Sequence, residues 1–401
     1  MRGLDIAIAG CGPCGMAAAL LLHRAGHQVT LFERFEAPRP VGSGLMIQPT
    51  GMAVLAELGL RDEAIRYGAR IDRLFGKAGK RVVLDVRYSA LRRRTAFGIG
   101  IHRAGLFAML HDSVLRSGIP VHTGHEVTGS TLLGTRRSLC FDGGTTGSFD
   151  LVVDALGTRT PLARSTGRSL AYGALWASLD WPMECGFDCR TLEQRYDRAS
   201  IMAGVLPIGT PPGTTTSQAA FFWSLRADRL EDWHDEGLSM WKDRVAALWP
   251  ACAPLLDQIC DPAQLTFARY FHRTLTRPAE PALIHIGDAW HSASPQLGQG
   301  ANMALLDAWA LARGLEDAGD VEEGIWRAVA LRRRHVRVYQ WLTALFTPVY
   351  QSDSLLLPMI RDRLVGPLSK LWPATVIQAA MVSGLVADPL GPLGLRENEP
   401  G

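Results

Sequence analysis

Two glycine-rich runs hold the residues whose types and spacing could do chemistry. The first is Gly10-Cys11-Gly12-Pro13-Cys14-Gly15, a G-x-G-x-x-G that follows the apolar stretch 4–9 and opens a run of helix formers. Glu33 stands at roughly the 20-residue offset at which an acidic side chain meets a ribose. In this spacing Gly10 permits a tight turn, Gly12 lets the main chain approach a pyrophosphate, and Gly15 lets helix and strand pack closely. Phosphate would meet the free N–H groups and the roughly +0.5 charge of a helix N-terminus. The pattern therefore points to dinucleotide binding. Cys11 and Cys14 also have the dithiol spacing of thioredoxin-type oxidoreductases, a competing thiol-redox reading that leaves Gly10, Gly15 and Glu33 without a role.

The second run is Gly287-Asp288-Ala289-Trp290-His291, continuing through Pro295-Gln296-Leu297-Gly298-Gln299-Gly300-Ala301-Asn302 to Asp307. A buried strand over 282–286 leads into it and a helix from about Gly300 to Gly314 leads out. Gly298 and Gly300 have no Cβ, so main chain can approach a flat ring, and the helix start aims its N–H dipoles at it.

Together the two runs resemble the single-component FAD-dependent aromatic monooxygenases of the para-hydroxybenzoate hydroxylase type, most closely at these cofactor segments and least over 166–270. The resemblance implies FAD as cofactor, bound by Gly10, Gly12, Pro13, Gly15, Glu33, Arg34, Gly44, Arg103, Gly287, Asp288, Pro295, Gly298, Gly300, Ala301 and Asn302. Within that set Asp288 matches the aspartate on the ribityl chain, and Pro295 to Gly300 the run along the isoalloxazine ring. Gly42-Ser43-Gly44 with Gln48-Pro49 is similar to the family's loop beside the flavin. The implied reaction is hydroxylation or epoxidation of an aromatic or polyketide-like apolar molecule by molecular oxygen through a C4a-hydroperoxyflavin, with NADPH or NADH as reductant. A dehydrogenase, reductase or halogenase on the same fold is the alternative, although the Trp-x-Trp-x-Ile-Pro run of flavin halogenases is not in the sequence. Pro295, Gln48 and His291 are the candidates for a catalytic role, and Phe222 and Trp223 for the substrate pocket. One departure touches the reductant: where the family has G-A-D-G-x-x-S, this chain reads Asp154-Ala155-Leu156-Gly157, with Leu156 in place of the aspartate and Asp154 two residues earlier.

The elements that must position these residues begin with a βαβ unit: a strand over 4–9, a helix over 16–25 and a strand over 28–32. A helix over 103–117 and strand-like pieces at 121–127, 138–141 and 151–155 follow. The β-formers and aromatics of 166–270 mark a second unit. The expected fold class is α/β: a Rossmann-like FAD-binding domain (1–75, 98–165 and 271–330), an inserted mainly β-sheet substrate domain (76–97 and 166–270) and a helical C-terminal region (331–401). The last stretch, 388–401, reads as a loose tail.

Composition bounds the rest. With 401 residues, 47% hydrophobic and 20% charged, the chain has apolar material for two or three structural units. A net charge of +3 is too even for a nucleic-acid binder, so the short clusters Arg92-Arg93-Arg94 and Arg332-Arg333-Arg334 read as solvated faces. No apolar run reaches the ~18 residues of a bilayer span, and Asp5 interrupts any export signal. Seven cysteines without regular spacing suit a reducing compartment, hence the cytoplasm. Cys185 and Cys189 lack a second ligand pair, so no metal is expected. The C-terminal Trp341, Leu345, Phe346, Tyr350 and Leu355-Leu356-Leu357-Pro358 invite a membrane or quinone-binding reading, but such stripes are more often core or a dimer face. A monomer or homodimer without membrane contact is expected, its partners being an apolar substrate and oxygen.

Overall fold

The computed structural model describes residues 3–37, 43–91, 96–164, 167–182 and 186–396, so Gly42, Arg92, Arg93, Arg94 and Cys185 lie outside the described residues. The apolar strands Asp5–Ala9 and Leu151–Asp154 are the centre of a six-stranded sheet, in the order Ala279–Glu280, Leu283–His285, Leu151–Asp154, Asp5–Ala9, Gln28–Phe32 and Val121–His122. All pairs are parallel except the first, and the register places Ile6 between Val29 and Leu151. Near-continuous apolar strands are what a sheet covered on both faces requires. One face is covered by the helices Pro13–Arg24, Arg103–Arg116 and Gly300–Glu316. Strands separated by more than 100 residues thus share one sheet, and the two glycine-rich runs leave Asp5–Ala9 and Leu283–His285, which flank Leu151–Asp154 in it.

A second, eight-stranded sheet runs in the order His291–Ser292, Thr266–Thr274, Arg168–Asp180, Gln218–Arg226, Ile201–Gly209, Thr191–Asp197, Arg73–Ala78 and Arg81–Arg87. Its strands Arg73–Ala78 and Thr266–Thr274 run across positions 75/76 and 270/271. Residues alternate between two differently covered faces. Leu175, Phe221 and Trp223 turn toward the helices Leu230–Glu236 and Leu238–Leu248, where Trp233, Trp241 and Trp249 complete an aromatic core. Phe222 turns the other way, toward Met46, Tyr88 and Leu206, with the Trp176 ring tilted by 33° against it at 4.7 Å between centroids. The expectation that Trp223 lines a pocket is therefore corrected: adjacent strand residues cannot share a face, and Trp223 meets Trp241 edge-on at 6.3 Å.

The C-terminal region is one 30-residue helix, Val321–Tyr350, N-capped by Asp320, then shorter helices at Leu356–Ile360 and Ala374–Val382. Its fastener is the buried Arg361, whose guanidinium donates to the carbonyls of Val349 and Arg198 and lies over the rings of Tyr196 and Tyr350. The expected loose tail is ordered through residue 396. Leu390, Leu393 and Leu395 are buried, and Trp309 Nε1 donates to the Leu393 carbonyl at 3.0 Å; Pro and Gly there make turns rather than disorder.

Trp241 is fully buried among Phe221, Trp223 and Trp233. Trp241→Ala is expected to cost roughly 3–5 kcal/mol. Equilibrium urea unfolding checks this, and a loss under about 1 kcal/mol would contradict the packing described.

Candidate functional site

The first glycine run has the geometry its spacing implies. Gly10 adopts φ +106° while its N–H donates to the Phe32 carbonyl at 2.8 Å. A Cβ on Gly15 would sit 2.0 Å from the Gly10 carbonyl oxygen, whereas a Cβ on Gly12 would meet nothing within 4 Å. Gly12 therefore fronts open space at the start of the helix Pro13–Arg24, which no side chain caps. The first-turn N–H groups are left for an anion. Glu33 closes the loop: its carboxylate accepts from the N–H groups of Cys11 at 2.9 Å and Phe35 at 3.2 Å. Arg34 beside it is exposed.

The thiols do not suit redox work. Burial and the nearby Glu33 push the Cys11 thiol up to about 12, and burial with three surrounding aspartates raises Cys14 well above its ordinary value. Cys14 Sγ donates to the Ala304 carbonyl. Neither supplies the thiolate an exchange reaction needs.

At the second run, Pro295–Leu297 forms a single 3₁₀ turn, Gly298 takes φ +61°, and Gly300 starts the helix with no side-chain cap. A Cβ on Gly300 would meet nothing within 4 Å. The unpaired first-turn N–H groups of Gly300, Ala301 and Asn302 thus face free space. The side chain of Asn302 is occupied differently than expected of a cofactor ligand. Its Oδ1 accepts from Gln48 N at 2.7 Å, and its Nδ2 donates to the carbonyls of Met46 and Gly298. Asn302 is a clamp between the two loops, leaving only its main chain for a ligand.

Gln48 sits in that clamp. Its Oε1 accepts from the Tyr88 hydroxyl at 2.5 Å, while its buried Nε2 has no partner among the described residues. A Cβ on Gly298 would lie 3.8 Å from that Nε2. Gly44 packs so tightly that a Cβ would press on Ile208 and Ala220, so its contribution is to bring the loop close to the second sheet.

Arg103 opens the helix Arg103–Arg116, its N–H bonded to the Ser43 carbonyl and the next residue's N–H held by His102 Nδ1 at 2.9 Å. Arg103 and Asp288 both retain accessible surface although protein atoms surround them, so they border an internal hollow. They are coupled across it. Burial lifts the Asp288 carboxyl above its ordinary range, and attraction to His291 and Arg103 offsets part of that rise. Burial lowers the Arg103 guanidinium, opposed by Asp288 and by Tyr270. Tyr270, which sequence reasoning missed, accepts from Trp176 Nε1 at 3.4 Å and belongs to the same hollow. A lone tyrosine in a strand gives no signal of its own.

His291 is corrected as a candidate base. Its Nε2 is 2.6 Å from Asp307 Oδ2, both groups are buried, and Asp307 also accepts from Arg332 Nε at 2.8 Å and from Gly287 N at 2.9 Å. The ring is a strut. Asp154 does not take over from the aspartate missing at position 156: its carboxylate accepts from Leu156 N and Thr160 Oγ1 and contacts His285 Nδ1 at 2.6 Å, fully buried. Pro295 is exposed beside Gly298, so of the three catalytic candidates only Pro295 and Gln48 adjoin the open space.

Donor groups at two helix starts, an orphaned amide, and an Arg–Asp pair across a hollow fit an elongated, partly anionic, ring-bearing group. Residues 3–173 match the family model described as an FAD binding domain. Among curated proteins the chain is 25% identical over 374 residues to a 2-heptyl-3-hydroxy-4(1H)-quinolone synthase of Mycobacteroides abscessus, covering 91% of each. It is 28% identical over 350 residues to a 6-methylpretetramide 4-monooxygenase of Streptomyces rimosus, covering 82% of this chain and 80% of that protein. Among solved structures it shares the fold of a tetrameric 2-methyl-3-hydroxypyridine-5-carboxylic acid oxygenase, with TM-score 0.80, 18% identity and 99% of each chain covered. The same holds for HpxO of Klebsiella pneumoniae complexed with FAD and uric acid, with TM-score 0.80, 18% identity, and 96% and 98% covered.

Burial raises the carboxyl of an aspartate, yet the partners of Asp307 hold it down at about 2. A depressed carboxyl contributes stability that is complete above its unfolded value near 4 and is lost as pH falls through about 2. Asp307→Asn is expected to lower stability at pH 7 by about 3–5 kcal/mol, because Arg332 is left buried without its counter-charge, and to flatten the acid limb between those two values. Urea midpoints measured along a pH series check both, and an unchanged acid limb would contradict the assignment.

Proposed function

We propose that this chain, whose residues 3–173 match an FAD binding domain, is an FAD-dependent aromatic monooxygenase of the para-hydroxybenzoate hydroxylase type that inserts one atom of molecular oxygen into an apolar aromatic or polyketide-like small molecule, using a nicotinamide as reductant. The single observation that carries the reading is the hollow into which Arg103, Asp288, Gln48 Nε2 and the Gly300 helix start converge. FAD, when bound, supplies the electron transfer and oxygen activation.

This chain's residues bind, orient and dry the site. Gly10, Gly12, Pro13 and Gly15 would seat the pyrophosphate on the helix N-terminus, with Glu33 and Arg34 toward the adenosine ribose. Gly287 and Asp288 would hold the ribityl chain, and Arg103 neutralises charge in the hollow. Pro295, Gly298 and the N–H groups of Gly300, Ala301 and Asn302 would lie against the ring, where their dipoles favour negative charge on the reduced form. Gln48 Nε2 gains a partner there. Over the hollow, Phe222, Trp176 and Met46 offer an apolar wall, and Tyr270 a phenol that burial keeps protonated. Such a wall excludes water and selects a flat, apolar substrate. None of the described residues named at the hollow is a histidine, so a substrate that carries its own hydroxyl or amino group is the one best matched to it.

Asp288→Ala is expected to weaken FAD binding at least about ten-fold, the loss of one charge-assisted hydrogen bond. Fluorescence titration of the apoprotein reads this, and unaltered affinity would remove Asp288 from the site. For the reaction, anaerobic titration with NADPH and NADH should bleach the oxidised-flavin band, faster with an aromatic substrate present. A flavin that no reductant and substrate can make consume oxygen would sink the monooxygenase reading.

A further inference from the structure

The segment expected to be core or a dimer face is largely exposed in the single chain. Of 17 exposed large hydrophobic residues among the described ones, 12 lie between positions 341 and 377. Pro358, Arg361, Gly366 and Ala379 anchor this stretch to the body, and its outer side presents Leu356, Ile360, Leu364, Leu368, Leu371 and Trp372, the last 76% exposed. Scattered exposed leucines need no explanation, whereas a contiguous apolar face does.

Its charges point to what covers it. Arg363 and Lys370 are exposed within the patch and pair with no acid among the described residues. Asp362, the acid within 354–378, is taken by the buried Arg361 at 2.7 Å. Upstream, Arg334, Arg337, Trp341 and Leu345 follow one another at helical spacing along the outer face of Val321–Tyr350, so cations grade into apolar side chains along one surface. Trp341 and Trp372 are of the type that settles at a lipid–water boundary. An isologous dimer would set the unpaired Arg363 and Lys370 against their own copies, since the acids of this face, Asp353 and Asp362, are held by Arg226 and Arg361. An anionic lipid surface is the complement that satisfies both the apolar side chains and the cations. No described helix is long and apolar enough to cross a membrane, so the contact would lie in the interface plane.

We propose that the face formed by residues 341–377 docks the protein peripherally on an anionic lipid bilayer. The docked segment continues into Ala379 and Val382, which pack in the same core as Phe222. The bilayer therefore adjoins the wall of the candidate substrate pocket.

The test is sedimentation of the flavin-loaded protein with vesicles of phosphatidylcholine containing roughly one-third phosphatidylglycerol, against phosphatidylcholine alone. The expected result is pelleting with the anionic vesicles that falls as salt rises. Arg363→Gln with Lys370→Gln should lower the partition about 25-fold, near five-fold for each cation. Leu364→Ser with Trp372→Ser should lower it at least about ten-fold. Because these side chains face outward, circular dichroism and flavin content should be unchanged, which separates lost docking from lost folding. Failure of the unsubstituted protein to pellet with anionic vesicles overturns the proposal, as does pelleting indifferent to salt and to the charge substitutions. A concentration-dependent dimer in sedimentation equilibrium that Leu364→Ser with Trp372→Ser dissociates, without vesicle binding, would assign the face to a second copy instead.

Discussion

The site depends on one buried carboxylate. Asp307 accepts from Gly287 N at the end of the strand Leu283–His285, contacts His291 just beyond it, and accepts from Arg332 on the long C-terminal helix. Three separate elements are thereby fixed to the helix that begins at Gly300. Arg332 in turn donates to His335 Nδ1 at 2.9 Å, which leaves His335 Nε2 to donate to the Gly384 carbonyl at 3.0 Å. Burial and Arg332 keep His335 neutral, as that donor–acceptor order requires. A buried charge without such partners would cost several kcal/mol, so this arrangement tolerates few alternatives and sets the aim of Asp288, one residue after Gly287.

Asn302 extends the same logic by neutral hydrogen bonds. Its side chain is engaged at both its oxygen and its nitrogen, by Gln48 N and by Met46 O and Gly298 O, locking the loop after Gly44 to the turn before Gly300. The consequence is polarised: main-chain dipoles and one orphaned amide are left pointing into the hollow, while the side chains around it are satisfied. Preorganised dipoles of that kind do not have to reorient when charge develops near them. Arg103 and Asp288 then set the balance of charge in the hollow, each stabilising the other where burial disfavours both.

The turns of both glycine-rich segments were legible from the chain because each rests on local main-chain geometry: a missing Cβ, a helix start, an acid at a fixed offset. Gly10, Gly12, Gly15 and Gly300 occupy places where spacing alone implies close approach. Phe222 and Trp223 show where legibility ends. Their alternation was plain, but which face met the hollow depended on the helices at 230–248 covering the other face, a long-range fact. Tyr270, Trp176 and the Asp307 network were missed for the same reason, since their partners lie tens to hundreds of residues away. The tail beyond 388 misled because Pro and Gly mark turns in ordered and disordered chain alike, and the leucines between them find a core.

The departure at Leu156 is settled by where the neighbouring carboxylate is spent. Asp154 ends a central strand, and its two oxygens organise the following loop through Leu156 N and Thr160 Oγ1 while facing His285. Releasing that carboxylate toward a ligand would unpair all three groups in a buried place, a cost of several kcal/mol that a solvent-exposed ligand contact does not return. Leu156, meanwhile, packs against the cluster of Ala7, Ala9, Phe32 and Val152 on the far side of the sheet. The loop keeps its shape from Asp154 and its packing from Leu156. Neither position therefore leaves a free carboxylate beside the loop.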